Sequence, residues 1–182
     1  LEEGNARYTG GKTTHPHGDA ASREAVAQAQ HPFAIVLGCS DSRVPPEVLF
    51  DQGVGDLFVV RTAGNVVDDV VLGSIEYAAE HLGSALVVVL GHERCGAVKA
   101  TAAGGEAPGH LPSLVKAIQP SVDKAKGMQG DLVENAVDLN VEAMAKEIET
   151  SQPLLAKFVE EGKVKVIGGK YDLDTGKVEF KK

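Results

Sequence analysis

The sequence contains little cysteine and few aromatic residues, and it has no long apolar run. Of its 182 residues only Cys39 and Cys95 are cysteines, tryptophan is absent, and aromatic residues make up 4%. Two thiols cannot build the disulfide framework of a small secreted domain, although they can supply half of a zinc site. The longest apolar run, residues 85–90, is far shorter than the roughly 20 residues that span a bilayer. The sequence therefore predicts neither a disulfide scaffold nor a membrane-spanning helix.

What the sequence does contain is an ordinary globular balance with an excess of acidic residues. Hydrophobic residues make up 43% and charged residues 24%, which excludes disordered and fibrous classes. The formal net charge is -8, and an acidic surface repels phosphate backbones, so we expect no nucleic-acid partner. We expect a cytoplasmic location. Because the sequence opens at Leu1 rather than at a methionine, a trimmed N terminus and a periplasmic location stay open as the alternative.

The pattern of apolar residues predicts an α/β fold in a single domain over residues 1–182. Residues 1–30 are expected to form a polar, helical N-terminal arm, and residues 31–182 the core. Three apolar runs are continuous rather than alternating, which indicates strands buried on both faces: residues 33–37, 57–60 and 85–90. Two shorter runs on either side of residues 174–176 predict a C-terminal β-hairpin. We therefore expect a central, mostly parallel β-sheet flanked by helices, with the weakest pattern over residues 106–130.

Two of the apolar runs end in the same way. Each is followed by a glycine and then by a side chain that can bind a metal: Cys39 after the first run and His92 after the third. Cys95 follows His92 by three residues. In open parallel sheets, ligands bind beyond the carboxyl ends of the strands, so neighbouring strands would bring these side chains together. Two thiolates and an imidazole select zinc and leave a fourth position open, as in catalytic sites. The alternative is that the cysteines are ordinary small core residues.

A carboxylate and a guanidinium closely follow the first of these candidate ligands. Asp41 and Arg43 lie two and four residues after Cys39, on a turn that Pro45 and Pro46 stiffen. The carboxylate can either bind the metal or pair with Arg43, whose planar fork would fix its direction and keep it ionised. A plain surface ion pair of little consequence is the alternative. Beside a zinc site we favour the functional interpretation.

The order and spacing of the two motifs are distinctive. A Cys-x-Asp-x-Arg motif over residues 39–43, followed by a His-x-x-Cys motif over residues 92–95, resembles the β-class carbonic anhydrases of bacterial type. Further blocks of the sequence are similar to conserved blocks of that family: residues 38–47, 56–61, 63–65, 74–77 and 91–98. The resemblance extends over most of the chain and is weakest over residues 104–135.

The resemblance implies a zinc lyase, a carbonate dehydratase, that reversibly hydrates carbon dioxide to bicarbonate and a proton. One Zn2+ per subunit would be held by Cys39, His92 and Cys95, with water or hydroxide as the fourth ligand. Asp41 would accept a hydrogen bond from the zinc-bound hydroxide and orient it, while Arg43 orients Asp41. In some family members this aspartate moves onto the metal in a closed, inactive state, so Asp41 would be a metal ligand only in that state.

The resemblance also implies a substrate pocket and an oligomer. Five residues match pocket positions of the family: Gln30, Phe58, Ala63, Tyr77 and Gly96. A pocket for an uncharged small molecule should be narrow and apolar with one or two donors, and Gln30 would donate to a substrate oxygen. Core packing is the alternative role for Phe58 and Tyr77. Family members are homodimers or homotetramers with sites partly built across the dimer interface, and we expect the polar arm to wrap a partner subunit.

Two other functions compete with this one. Related hydrolases of carbon disulfide or carbonyl sulfide share the ligand set, but this sequence has no elongated insertion that would build a restrictive access tunnel. A non-catalytic interaction domain stabilised by zinc would have no need of Asp41 or Arg43. Carbon dioxide hydration by the wild-type protein and by the Asp41→Asn variant separates the three functions.

Overall fold

A five-stranded β-sheet forms the centre of the molecule. The computed structural model describes residues 1–181. Its strands are β1 (Ala34–Cys39), β2 (Leu57–Thr62), β3 (Leu86–His92), β4 (Lys165–Tyr171) and β5 (Val178–Lys181). They lie in the order β2-β1-β3-β4-β5, and every neighbouring pair is parallel except β4 and β5, which form an antiparallel hairpin. The sheet is therefore mostly parallel and ends in a C-terminal hairpin, as the apolar runs predicted.

Helices occupy most of the connections between the strands. They are α1 (Glu2–Thr9), α2 (Ala20–Ala25), α3 (Pro46–Leu49), α4 (Asp69–His81), α5 (Gly96–Ala103), α6 (Leu111–Ala125), α7 (Leu132–Thr150) and α8 (Leu154–Glu160). Residues 34–37 of β1 and 87–89 of β3 are fully buried, which explains why their apolar runs are continuous rather than alternating. Among residues 1–181, no helix combines the length and the apolarity that crossing a membrane requires.

The segment 106–130 contains a regular helix, α6, that the sequence pattern did not predict. Pro112 lies in the first turn of this helix and Pro120 in its interior. A proline is tolerated in the first turn because the N–H groups there have no partner within the helix, whereas Pro120 removes one backbone hydrogen bond. Tertiary packing offsets that loss, since Ile118 and Val122 are fully buried.

The pairing of the strands places the ends of β1 and β3 next to each other. In β1, Cys39 lies opposite Thr62 of β2, and Gly38 lies opposite Leu90 of β3. His92 ends β3 two residues beyond Leu90. Both strands therefore present their last residues at the carboxyl edge of the sheet, where parallel α/β sheets bind ligands.

The N-terminal arm packs against the core of its own chain. Asn5 of α1 is buried, and its Nδ2 donates to the Leu49 and Gly176 carbonyls while its Oδ1 accepts from the Val178 N–H. These bonds join the arm to the end of α3 and to the C-terminal hairpin. Within one chain the arm therefore already makes buried contacts with the core. That it also wraps a partner subunit stays a prediction.

A buried carboxylate ties the arm to the core. Asp51 accepts a hydrogen bond from Arg7 Nε at 2.6 Å and further bonds from the Thr14 N–H, the Thr14 hydroxyl and the His15 N–H. These donors, Arg7 foremost, hold the pKa of Asp51 well below its usual range. The carboxylate is therefore ionised in the folded protein, and each of its bonds holds a segment of the arm.

We expect Asp51→Asn to lower the Tm of the protein by several degrees near neutral pH, because the neutral amide cannot form the ion pair with Arg7. Since the folded-state pKa of Asp51 is depressed, its stabilisation is present above the unfolded-state pKa of about 3.9 and is lost as the pH falls. The difference in Tm between the wild type and the variant should therefore narrow below about pH 4. Thermal melts across this pH range test the prediction, and a difference that does not change with pH would contradict it.

Candidate metal centre

Three side chains that can bind a metal meet at the carboxyl edge of the sheet. Cys39 is the last residue of β1, His92 is the last residue of β3, and Cys95 directly precedes α5. One ligand atom from each lies within 4.8 Å of the other two. All three residues are buried. The structure therefore brings together the three side chains that the ends of the apolar runs single out.

The chemistry of these donors fits zinc. His92 Nδ1 lies 2.8 Å from the Glu93 carbonyl oxygen, and with Nδ1 as the donor the lone pair is on Nε2. Nε2 is buried and has no hydrogen-bond partner among residues 1–181. A buried polar atom without a partner is unfavourable, and a metal ion would satisfy it. Two sulfurs and one imidazole form a set that favours zinc and leaves one coordination position for water or substrate.

The two cysteines differ in how readily they ionise. Hydrogen bonding from Cys95, together with that from the Gly64 N–H, lowers the pKa of Cys39 despite its burial. The same contact between the thiols, together with burial, raises the pKa of Cys95. The Gly64 N–H donates to Cys39 Sγ at 3.3 Å. Cys39 is therefore the cysteine that more readily takes the thiolate form that a metal requires.

Asp41 and Arg43 form a bidentate ion pair beside the ligands. Arg43 Nε donates to Asp41 Oδ1 at 2.9 Å, and Arg43 Nη2 donates to Asp41 Oδ2 at 2.7 Å. This pairing holds the pKa of Asp41 well below its usual range. Asp41 Oδ2 lies 3.8 Å from His92 Nε2. The carboxylate is thus ionised, fixed in direction and adjacent to the metal-binding atoms.

Arg61 supports the turn that carries both Cys39 and Asp41. From its position on β2 beside Gly38, its Nε donates to the Cys39 carbonyl at 2.8 Å and its Nη2 to the Asp41 carbonyl at 2.6 Å. Arg61 lies within the block 56–61 that is similar to the family, but the sequence alone assigns it no role. The signal that could have revealed it is a charged residue directly after the apolar run 57–60, at the same edge as the ligands.

Two of the predicted pocket residues adjoin the metal centre. Ala63 begins the short 3-10 turn Ala63–Asn65, whose central glycine donates to the Cys39 sulfur. Gly96 follows Cys95 and is the first residue of α5. Both residues are small, which leaves room beside the ligands for a small molecule.

The other three predicted pocket residues lie away from the metal centre of their own chain. Phe58 is opposite Ile35, which is four residues before Cys39, a separation of roughly 13 Å along the strand. Tyr77 of α4 packs against Phe58 with ring centroids 6.3 Å apart, and 48% of its surface is exposed. Gln30 is exposed and precedes β1, at the same end of the sheet as Phe58. A single chain therefore does not bring these three residues to its own metal ligands.

The molecule is an α/β protein with three side chains that could hold a metal ion and a paired carboxylate beside them, at the carboxyl edge of a mostly parallel sheet. A sequence model of the carbonic anhydrase family matches residues 34–178. The carbonic anhydrase of Mycolicibacterium smegmatis is 42% identical over an alignment that covers 100% of this chain and 90% of that relative. The chain belongs to the β-class carbonic anhydrase family, a family of lyases, and the resemblance of its motifs is confirmed.

Solved structures of the same class share the fold. A chain from the crystal structures of two tetrameric β-carbonic anhydrases of Sordaria macrospora matches with a TM-score of 0.81 and 26% identity, over 98% of this chain and 93% of that one. The β-carbonic anhydrase of Coccomyxa, solved in complex with acetazolamide, matches with a TM-score of 0.80 and 29% identity, over 97% and 82%. These similarities confirm the predicted α/β fold class.

Proposed function

We propose that the protein reversibly hydrates carbon dioxide to bicarbonate and a proton, with one zinc ion per subunit bound by Cys39, His92 and Cys95. The observation that carries this proposal is the position of Asp41, whose carboxylate is held by Arg43 and lies 3.8 Å from His92 Nε2. A structural zinc site fills all four coordination positions with protein ligands, so an oriented carboxylate beside the ligands would have no function there. Membership of the carbonic anhydrase family supports the same activity.

Each part of the site has a distinct task in this reaction. Zinc, when bound, lowers the pKa of a water molecule from about 15.7 to near 7 and so supplies a nucleophile in mild conditions. Asp41 Oδ2 accepts a hydrogen bond from the reacting water and fixes the direction in which that water faces the substrate. Arg43 keeps the carboxylate ionised and aligned. Arg61 holds the backbone of the turn, so that the carboxylate and the Cys39 sulfur keep their relative positions.

We infer that a second subunit completes the pocket. Gln30, Phe58 and Tyr77 match pocket positions of the family but lie away from the metal centre of their own chain. Their surroundings have the character of an interface, because β2 is an edge strand and α4 exposes 77% of Val70 and about half of Tyr77. Exposed apolar side chains on one face are typical of protein–protein contacts, and a twofold contact exchanges equivalent residues between subunits. The tetrameric state of the Sordaria macrospora relatives also supports an oligomer.

Metal content and activity, measured on the same samples, test the proposed function. We expect about one zinc ion per chain by elemental analysis. Hydration of carbon dioxide, followed by stopped flow with a pH indicator, should disappear after dialysis against a zinc chelator. It should return with Zn2+ but not with Mg2+, which prefers oxygen ligands. Undiminished hydration by the metal-free protein would contradict the proposal, as would zinc-loaded protein without hydration.

A further inference from the structure

A buried side chain from α7 reaches the turn beside the metal centre. We propose that Asn140 is a positioning residue for the Cys39 ligand: it holds Gly64 so that the Gly64 N–H stays directed at the Cys39 sulfur. This role rests on the proposed metal centre and extends it to a helix that carries none of the ligands. Asn140 and Gly64 are 76 residues apart in the sequence, so no local motif links them.

Packing alone does not explain an asparagine at this position. Asn140 is 1% exposed, and its Nδ2 donates to the Gly64 carbonyl at 2.9 Å. Its Oδ1 is buried and has no hydrogen-bond partner within residues 1–181. Burying an amide with part of its hydrogen bonds unmade is less favourable than burying an apolar side chain of similar size. The bond to Gly64 is therefore the property that distinguishes asparagine from an apolar residue here.

Gly64 needs an anchor of this kind. Its φ of 76° lies in the left-handed region, which glycine adopts readily, and no side chain of its own restricts the backbone. A Cβ at this position would lie 2.7 Å from Ile118 Cδ1, so α6 packs directly on the turn. With Ile118 against it and Asn140 on its carbonyl, Gly64 keeps its N–H 3.3 Å from Cys39 Sγ.

The hydrogen bond from Gly64 matters because it acts on a metal ligand. An N–H that donates to a thiolate stabilises its charge and fixes the direction of its lone pairs. Without Asn140 the Gly64 carbonyl has no side-chain partner, and the turn can rotate its N–H away from Cys39. Groups that orient metal ligands in this way typically change metal affinity by roughly 10–100-fold when they are replaced.

The test compares Asn140→Leu with Asn135→Leu in the intact, zinc-loaded protein. Leucine is close to asparagine in size but cannot donate to Gly64. Asn135 is a matched control, because it lies on the same helix and its side chain donates to the Gln129 carbonyl instead. We expect zinc release to a chromogenic chelator to be roughly 10–100-fold faster in Asn140→Leu and unchanged in Asn135→Leu. In the cobalt-substituted protein, the sulfur-to-cobalt charge-transfer bands should shift only in Asn140→Leu.

The possible failures of this test are distinguishable. Release kinetics and cobalt bands identical to those of the wild type would overturn the role of Asn140. If Asn140→Leu does not fold, Asn140→Ala and Asn135→Ala provide the same comparison, since alanine adds no bulk and cannot donate to the Gly64 carbonyl. A wild-type protein that binds neither Zn2+ nor Co2+ would instead overturn the proposed metal centre.

Discussion

Asp41→Asn is expected to lower kcat/KM for carbon dioxide hydration by about 10²–10⁴-fold while the protein keeps its zinc. The substitution conserves size but replaces one carboxylate oxygen with an NH2 group, which cannot accept a hydrogen bond. It also removes the charge that pairs with Arg43, whose Nε and Nη2 lie 2.9 and 2.7 Å from the carboxylate oxygens. Because Asp41 Oδ1 accepts from both the Arg43 N–H and Arg43 Nε, the remaining amide oxygen is favoured at that position. The NH2 group then faces the reacting water, which loses its oriented acceptor although Cys39, His92 and Cys95 remain in place.

Zinc content and stopped-flow rates measured on the same samples separate this effect from a loss of metal. Asp123→Asn is a suitable control, because Asp123 forms an exposed ion pair with Lys126 near the end of α6. A fully active Asp41→Asn variant would refute the proposed mechanism. A wild-type protein that hydrolyses carbon disulfide or carbonyl sulfide but does not hydrate carbon dioxide would favour the related hydrolases. Zinc-loaded wild-type protein without either activity would favour a non-catalytic domain.

The candidate ligands were predictable because two local signals coincide in the sequence. The runs that end at Leu37 and Leu90 are both continuous, which indicates buried parallel strands, and each is followed by glycine and a metal-binding side chain. Parallel strands that are neighbours must end at the same edge of the sheet. Asp41 and Arg43 are close to Cys39 in the sequence, so their position beside the metal centre follows from a short turn.

Contacts between distant parts of the chain were not predictable in this way. Asn140 is one of many polar residues of α7, and its burial over Gly64, which the sequence does not show, is what distinguishes it from the others. Arg61 donates to backbone carbonyls. Because every residue has a backbone carbonyl, no particular residue type in the sequence identifies the partners of Arg61. Pro120 suggests a break in a helix, and only the burial of Ile118 shows why α6 forms despite it.

The sequence predicts the pocket residues as a set, but not the subunit whose pocket they enter. Phe58 and Tyr77 match pocket positions by their place in conserved blocks, but a motif does not state which subunit's pocket a side chain enters. The parallel register excludes the pocket of the same chain for Phe58, because it places Phe58 roughly 13 Å from the strand end that carries Cys39. The exposed ring of Tyr77, packed against Phe58, is therefore remote from the candidate ligands of its own chain, and we infer that it serves the site of a second subunit.

Heterodimers of an Asp41→Asn chain and a Tyr77→Ala chain are expected to show about half of the wild-type activity, although each variant alone is strongly impaired. In such a dimer the metal site of the Tyr77→Ala chain has an intact Asp41, and the Asp41→Asn chain contributes an intact Tyr77 to the same site. The other site carries both defects. Co-expression with two different affinity tags and purification over both yields the heterodimers, whose hydration rate is measured by stopped flow.

The matched control pairs Asp41→Asn with Cys95→Ser, two changes that act within the metal centre of their own chain. Each site of that heterodimer carries one defect, so no activity should return. If Tyr77 served the metal centre of its own chain, the first pairing would behave like this control, since its two sites would also carry one defect each. Recovery in the first pairing and none in the second is therefore the result that only a site shared between subunits produces.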